Sequence, residues 1–152
     1  MRTQRRSEKE PTAGYRYLPH TADEILEAWG STERDCASEL ATGLVAGFVQ
    51  SRSELPELEA QPFAIELGDK ATLDDTLVAL LEEVLFVVET EGLVPIRTEV
   101  ERIEAGRVEG KFYVLPLDAV EETGAVPKAV SYEDLVFEKA DGLWRARITI
   151  DV

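Results

Sequence analysis

The chain has 152 residues, 44% hydrophobic and 31% charged, which is enough apolar material for one domain with a core and too little for a second. Its 31 acidic residues against 16 basic ones leave a net charge of −15. A surface of that sign repels phosphate backbones and gathers cations, so direct, sequence-specific nucleic-acid binding is disfavoured and a cation or a basic protein surface is favoured as partner.

Cys36 is the lone cysteine, which rules out an intrachain disulfide and a thiolate-based zinc site and suits a reducing, cytoplasmic setting. No apolar run approaches the roughly 20 residues of a membrane span, and the start carries no apolar leader core, so no membrane association is expected. Residues 1–14, MRTQRRSEKEPTAG, are polar and locally basic and cannot bury enough apolar area to offset their ordering entropy. They read as a disordered tail ahead of a domain over 15–152.

Tyr15 to Leu18 reads as a strand ended by Pro19, and EILEAWG, after the polar loop His20 to Asp23, as a second strand stopped by Gly30. Ser31 or Thr32 is placed to cap a helix; from Thr32, Asp35 falls at the third helical position, facing the positive helix end. Ala37, Leu40, Ala41, Leu44, Val45 and Phe48 then recur at helical spacing, with Cys36 as a small residue of that helix. Phe63, Ile65 and Leu67 alternate as a strand. Thr72 and Asp75 open a second helix whose wide stripe runs from Leu73 through Leu77, Leu80, Leu81, Val84 and Leu85 to Val88, with Gly92 just past its end.

From Val94 the period changes to two. PIRTEVERIE and VEGKFYVLPL form one hairpin about Ala105, Gly106 and Arg107; KAVSYEDLVFEK and LWRARITIDV form another about Ala140, Asp141 and Gly142. The polar segment between them, Pro116 to Pro127, is long enough to suggest function. Two helices mid-chain among strands that pair as hairpins predict an α+β single domain, a mostly antiparallel sheet with two main helices packed on one face. No glycine-rich nucleotide fingerprint is present.

His20 is the sole histidine, and with no nucleophile at a recognisable spacing it reads as a loop-holding residue ahead of a general base. Asp23 and Asp151 are hard oxygen ligands near opposite ends of the folded chain. Spacing alone does not join them; if they meet, an all-oxygen set suits Ca²⁺ or Mg²⁺ over Zn²⁺ or Cu²⁺, and the terminal carboxylate of Val152 could add a third oxygen. Lys128, taken alone, reads as a surface lysine at a strand start.

Four ordered blocks, YLPHTADEILEAWGST, LLEEVLFVVETEGLVP, KAVSYEDL and RARITIDV, resemble the archease family from about Tyr15 to Val152. The resemblance implies a compact α+β fold in which Asp23, Asp151 and Val152 converge on a metal ion, most often calcium, with magnesium or manganese as alternatives. It implies a functional role for Lys128, in the KAVSY block, and His20, in the first block, is a candidate partner contact. Glu24 stands where the family has an apolar residue and is a candidate extra ligand. The implied role is that of an accessory protein, not an enzyme, for an RtcB-type RNA ligase in tRNA splicing and RNA repair, promoting guanylate loading and multiple turnover. A metal-dependent hydrolase and a chaperone-like binding module are the rival readings.

Overall fold

The structure is a computed structural model that describes residues 12–18, 23–51 and 58–151. Residues 1–11, which make up most of the segment read as a basic tail, lie outside the described residues, as do His20 and Val152. In chain order the elements are β1 (Gly14–Leu18), β2 (Glu24–Gly30), α1 (Glu33–Ala46), β3 (Val49–Ser51), β4 (Glu59–Glu66), α2 (Leu73–Glu91), β5 (Leu93–Glu104), β6 (Arg107–Pro116), a 3-10 turn (Leu117–Ala119), β7 (Val120–Glu122), β8 (Ala129–Ala140) and β9 (Leu143–Asp151).

The two helices start where local chemistry says they should. The Asp35 N–H donates to the Thr32 Oγ1 at 3.1 Å, which satisfies one of the free amides at the head of α1. At α2 the exchange is reciprocal: the Asp75 N–H donates to Thr72 Oγ1 and the Thr72 N–H to Asp75 Oδ2, both at 3.0 Å, a full capping box. Gly92 ends α2 at φ 65, a left-handed conformation that a side chain would strain.

The strands form an antiparallel set, as the hairpin pattern implied, but distributed over three ladders: β1-β2-β9-β8, β3-β7 and β4-β6-β5. Both predicted hairpins are present, β5 with β6 and β8 with β9. The polar segment after Pro116 is more structured than a loop. It holds the 3-10 turn and β7, whose Val120 and Glu122 pair with Ser51 and Val49 of β3.

α1 lies between the larger ladders, packing against β2 on one side and β5 on the other. Leu40 and Leu44 on its buried face, Leu77, Leu80 and Leu81 of α2, and Leu26, Phe112, Ile148 and Ile150 of the strands have essentially no exposed surface and form the core. Burial of each such side chain is worth about 1.5–3 kcal/mol. Among the described residues no helix is long and apolar enough to cross a membrane.

Candidate functional site

The site is built where the first and last parts of the domain meet. β2 runs antiparallel to β9 with Glu24 opposite Ile150 and Ile25 opposite Thr149, so one further step along the same register carries Asp23 toward Asp151. Side chains alternate along β9: Ala146, Ile148 and Ile150 enter the core, while Thr149 and Asp151 face the other way. On the far side β8 sets Ala129 opposite Asp151 and Ser131 opposite Thr149. β8 then leaves register until Val136, and Asp134 within that irregular stretch has φ 61, the left-handed region that aspartate tolerates better than most residues. The Glu133 N–H donates to Ser131 Oγ at 3.1 Å and helps fold the bulge back on itself.

The outcome is an acidic cavity of about 240 Å³ lined by Asp23, Ser131, Glu133, Asp134, Thr149 and Asp151. Four carboxylates and two hydroxyls make an all-oxygen surface of the kind that suits a hard cation, and Cys36, the only thiol, is buried elsewhere on the inner face of α1. The chemistry of the donors therefore fits calcium or magnesium. Among the described residues no three His, Cys, Asp or Glu side chains converge closely enough to hold a metal by themselves. A cation here would need waters or a ligand outside them, the region to which Val152 belongs.

Of the residues singled out from the sequence, the fold brings Asp23 and Asp151 to one cavity. Glu24 is exposed and does not line it; its charge acts on Tyr17, whose hydroxyl is held protonated by burial first and by Glu24 second. Lys128 also lies off the acidic cavity. Its backbone N–H donates to the Asp151 carbonyl oxygen at 2.8 Å, which ties the start of β8 to the end of β9. Its side chain is exposed and borders a separate hollow of about 400 Å³ floored by Phe48, Val49, Val88, Val126 and Pro127.

Ser131, Glu133, Asp134 and Thr149 were not legible as site residues. The stretch SYEDL continues the alternation of a strand, and only the bulge turns both acids toward the cavity. The signal available was weak: adjacent acids in the middle of an otherwise apolar strand pattern.

The chain matches the model of the Archease protein family (MTH1598/TM1083) over residues 15–152. A relative from Mycobacterium tuberculosis, named "Probable protein archease", is 33% identical over 93% of this chain and 76% of its own length. A Methanosarcina mazei protein named archease is 29% identical over 91% of this chain and 95% of its own. Two solved structures share the fold. Protein 1598 of Methanobacterium thermoautotrophicum superposes with TM-score 0.64 at 19% identity, covering 91% of this chain and 99% of that one. A Thermotoga maritima protein described as an archease, possible chaperone, superposes with TM-score 0.58 at 18% identity, covering 95% of this chain and 97% of that one.

Proposed function

The chain belongs to the archease family, and from that premise we propose that it is a cytoplasmic accessory protein for an RtcB-type RNA ligase, not itself an enzyme, acting in tRNA splicing and RNA repair by promoting guanylate loading and multiple turnover. The observation that carries the reading is the meeting of Asp23 and Asp151 at one acidic cavity, since nothing in their sequence spacing requires it.

In this reading Asp23 and Asp151 hold a divalent cation, calcium first, with Val152 completing the set and the hydroxyls of Ser131 and Thr149 supporting bound water. The cation supplies a fixed positive charge that would otherwise be missing from a cavity of carboxylates. Lys128 supplies a compact ammonium on a strand start, where the backbone bond to Asp151 fixes its origin. Glu133 and Asp134 raise the local negative potential and concentrate cations at the cavity mouth. His20, three residues ahead of Asp23 in the sequence, is read as a partner contact.

The test is to incubate the purified protein with GTP, RNA and an RtcB-type ligase, omitting each in turn. Faster guanylate transfer to the ligase, with no turnover of GTP or RNA when the ligase is left out, supports the reading. Turnover by the protein alone would make it a metal-dependent hydrolase, and suppression of aggregation in unrelated proteins without any effect on guanylate transfer would make it a chaperone. Lys128→Ala keeps the backbone bond to Asp151 and is expected to leave Tm unchanged while lowering stimulation about tenfold, or ~1.4 kcal/mol of barrier lowering.

A further inference from the structure

The outward face of α2 is unlike an ordinary solvated helix face. Asp75, Glu82, Phe86 and Glu89 follow one another at intervals of seven, four and three, so they share a line down the helix. Phe86, in the middle of that line, is 55% exposed. Beside its first half stands Tyr132, 57% exposed on the β8 bulge; its hydroxyl is held protonated by partial desolvation and then by the charges of Glu82 and Asp75. At the far end Leu117, 41% exposed, donates its N–H to the Gly92 carbonyl oxygen at 2.9 Å. There it closes the hollow of about 400 Å³ whose wall includes Val88 and Glu89 of α2.

One exposed aromatic needs no explanation. Three of the four exposed large hydrophobics of the described residues lie along this one face, and the hollow at its end is apolar-floored. α2 itself is charged with one sign, carrying Asp74, Asp75, Glu82, Glu83, Glu89 and Glu91 and no basic residue, and Lys128 adds a cation only at the rim of the hollow. Glu89 and Glu91 sit in the last turn, against the negative end of the helix dipole, an arrangement that works against the helix in isolation. A basic surface laid on the outward line would relieve the repulsion among Asp75, Glu82 and Glu89.

We infer that the outer face of α2, from Tyr132 past Phe86 to the hollow beside Leu117, is a docking surface for a basic protein partner. That partner presents an apolar ridge flanked by Lys or Arg and seats one aliphatic or aromatic side chain in the hollow. A second copy of this chain is the wrong occupant, because it would set carboxylates against carboxylates, and an RNA would be repelled in the same way. The surface borders both parts of the site. Tyr132 lies between Ser131 and Glu133, which line the acidic cavity, and the hollow is rimmed by Lys128. The inference rests on the accessory-protein reading only for the identity of the partner, a ligase.

The experiment is calorimetric titration of the full chain with an RtcB-type ligase, for wild type, Phe86→Ser and the double variant Glu82→Lys/Glu89→Lys, with folding checked by circular dichroism and calcium affinity measured in parallel. Both variants should bind the ligase at least tenfold more weakly while fold and calcium affinity stay as in wild type. Wild-type affinity in both variants overturns the surface and leaves the ligase reading standing. Absence of binding by wild type overturns the ligase as partner, and the surface is then decided by amide shifts on adding a synthetic Leu/Lys amphipathic peptide. Shifts along α2, Leu117 and Tyr132 uphold it; shifts elsewhere, or none, overturn it. A dimer in sedimentation velocity that Phe86→Ser abolishes would likewise overturn it in favour of self-association.

Discussion

Cys36 sits on the buried face of α1 with no exposed surface, and its Sγ donates weakly to the Ala28 carbonyl oxygen of β2 at 3.7 Å. Burial pushes the thiol up to about 12; Arg145 opposes this, while Glu39 and Asp35 add to it. A thiol with so little thiolate is a poor nucleophile. Cys36 should therefore resist iodoacetamide at pH 8 in the folded protein and react once the chain is unfolded in guanidinium. Tyr17, whose hydroxyl donates to the Gly43 carbonyl oxygen at 2.9 Å, is likewise held protonated by burial. The sign follows from linkage: both groups keep their protons longer in the folded state, so their contribution is complete below the ordinary thiol range. It is lost as pH rises from there toward about 12. Thermal stability measured from pH 8 to 11 should fall, and Cys36→Ala should flatten the thiol's part of that fall.

At the scale of elements, α1 does more than fill the core. β5 pairs with β6 along one edge, and along the other the Thr98 N–H donates to Thr42 Oγ1 at 3.1 Å and the Val100 N–H to Ser38 Oγ at 2.9 Å. Two helix hydroxyls, four residues apart and so on one face, cover the free edge of a strand that would otherwise expose donors. Thr42→Val keeps the shape and deletes the acceptor, so it should cost about 1–3 kcal/mol in urea unfolding. Thr98→Val should be neutral or stabilising, because the Thr98 hydroxyl is buried with no hydrogen-bond partner among the described residues. Equal losses for the two variants would contradict this assignment of the edge bonds.

The same scale explains what could be read from the sequence. Both helices and both hairpins are specified locally, by caps three residues apart, by apolar periods and by short turns, and all appear, except that α1 stops at Ala46 with Gly47 as its cap and leaves Phe48, counted in its apolar stripe, in the turn beyond. β3 and β7 were invisible because each is three residues long, and their pairing joins segments far apart in the chain. The bulge in β8 hid Glu133 and Asp134 for a related reason: a register shift is decided by the partner strand, and the alternation of SYEDL gives no sign of it. Asp23 and Asp151 were named through the family resemblance. Their approach depends on β2 pairing with β9, a contact between the first and last parts of the domain that spacing cannot foretell.

For the whole molecule, the net charge of −15 sets the kind of company it can keep. Tyr132 on the proposed docking face stands between Ser131 and Glu133 of the acidic cavity, and Lys128 rims the hollow at the other end of that face, so a basic protein docked there would border both. In the proposed reading that arrangement would let the chain act on the charged centre of a larger enzyme through a bound cation and the Lys128 ammonium. Its most direct test is the single-turnover transfer of labelled guanylate from GTP to an RtcB-type ligase, measured with calcium present for wild type and for Asp151→Asn, which keeps side-chain shape and β9 backbone pairing. Wild type is expected to accelerate the transfer, and Asp151→Asn, folded and still bound to the ligase, to lose at least about tenfold of that acceleration, or ~1.4 kcal/mol. Full acceleration by Asp151→Asn would contradict it.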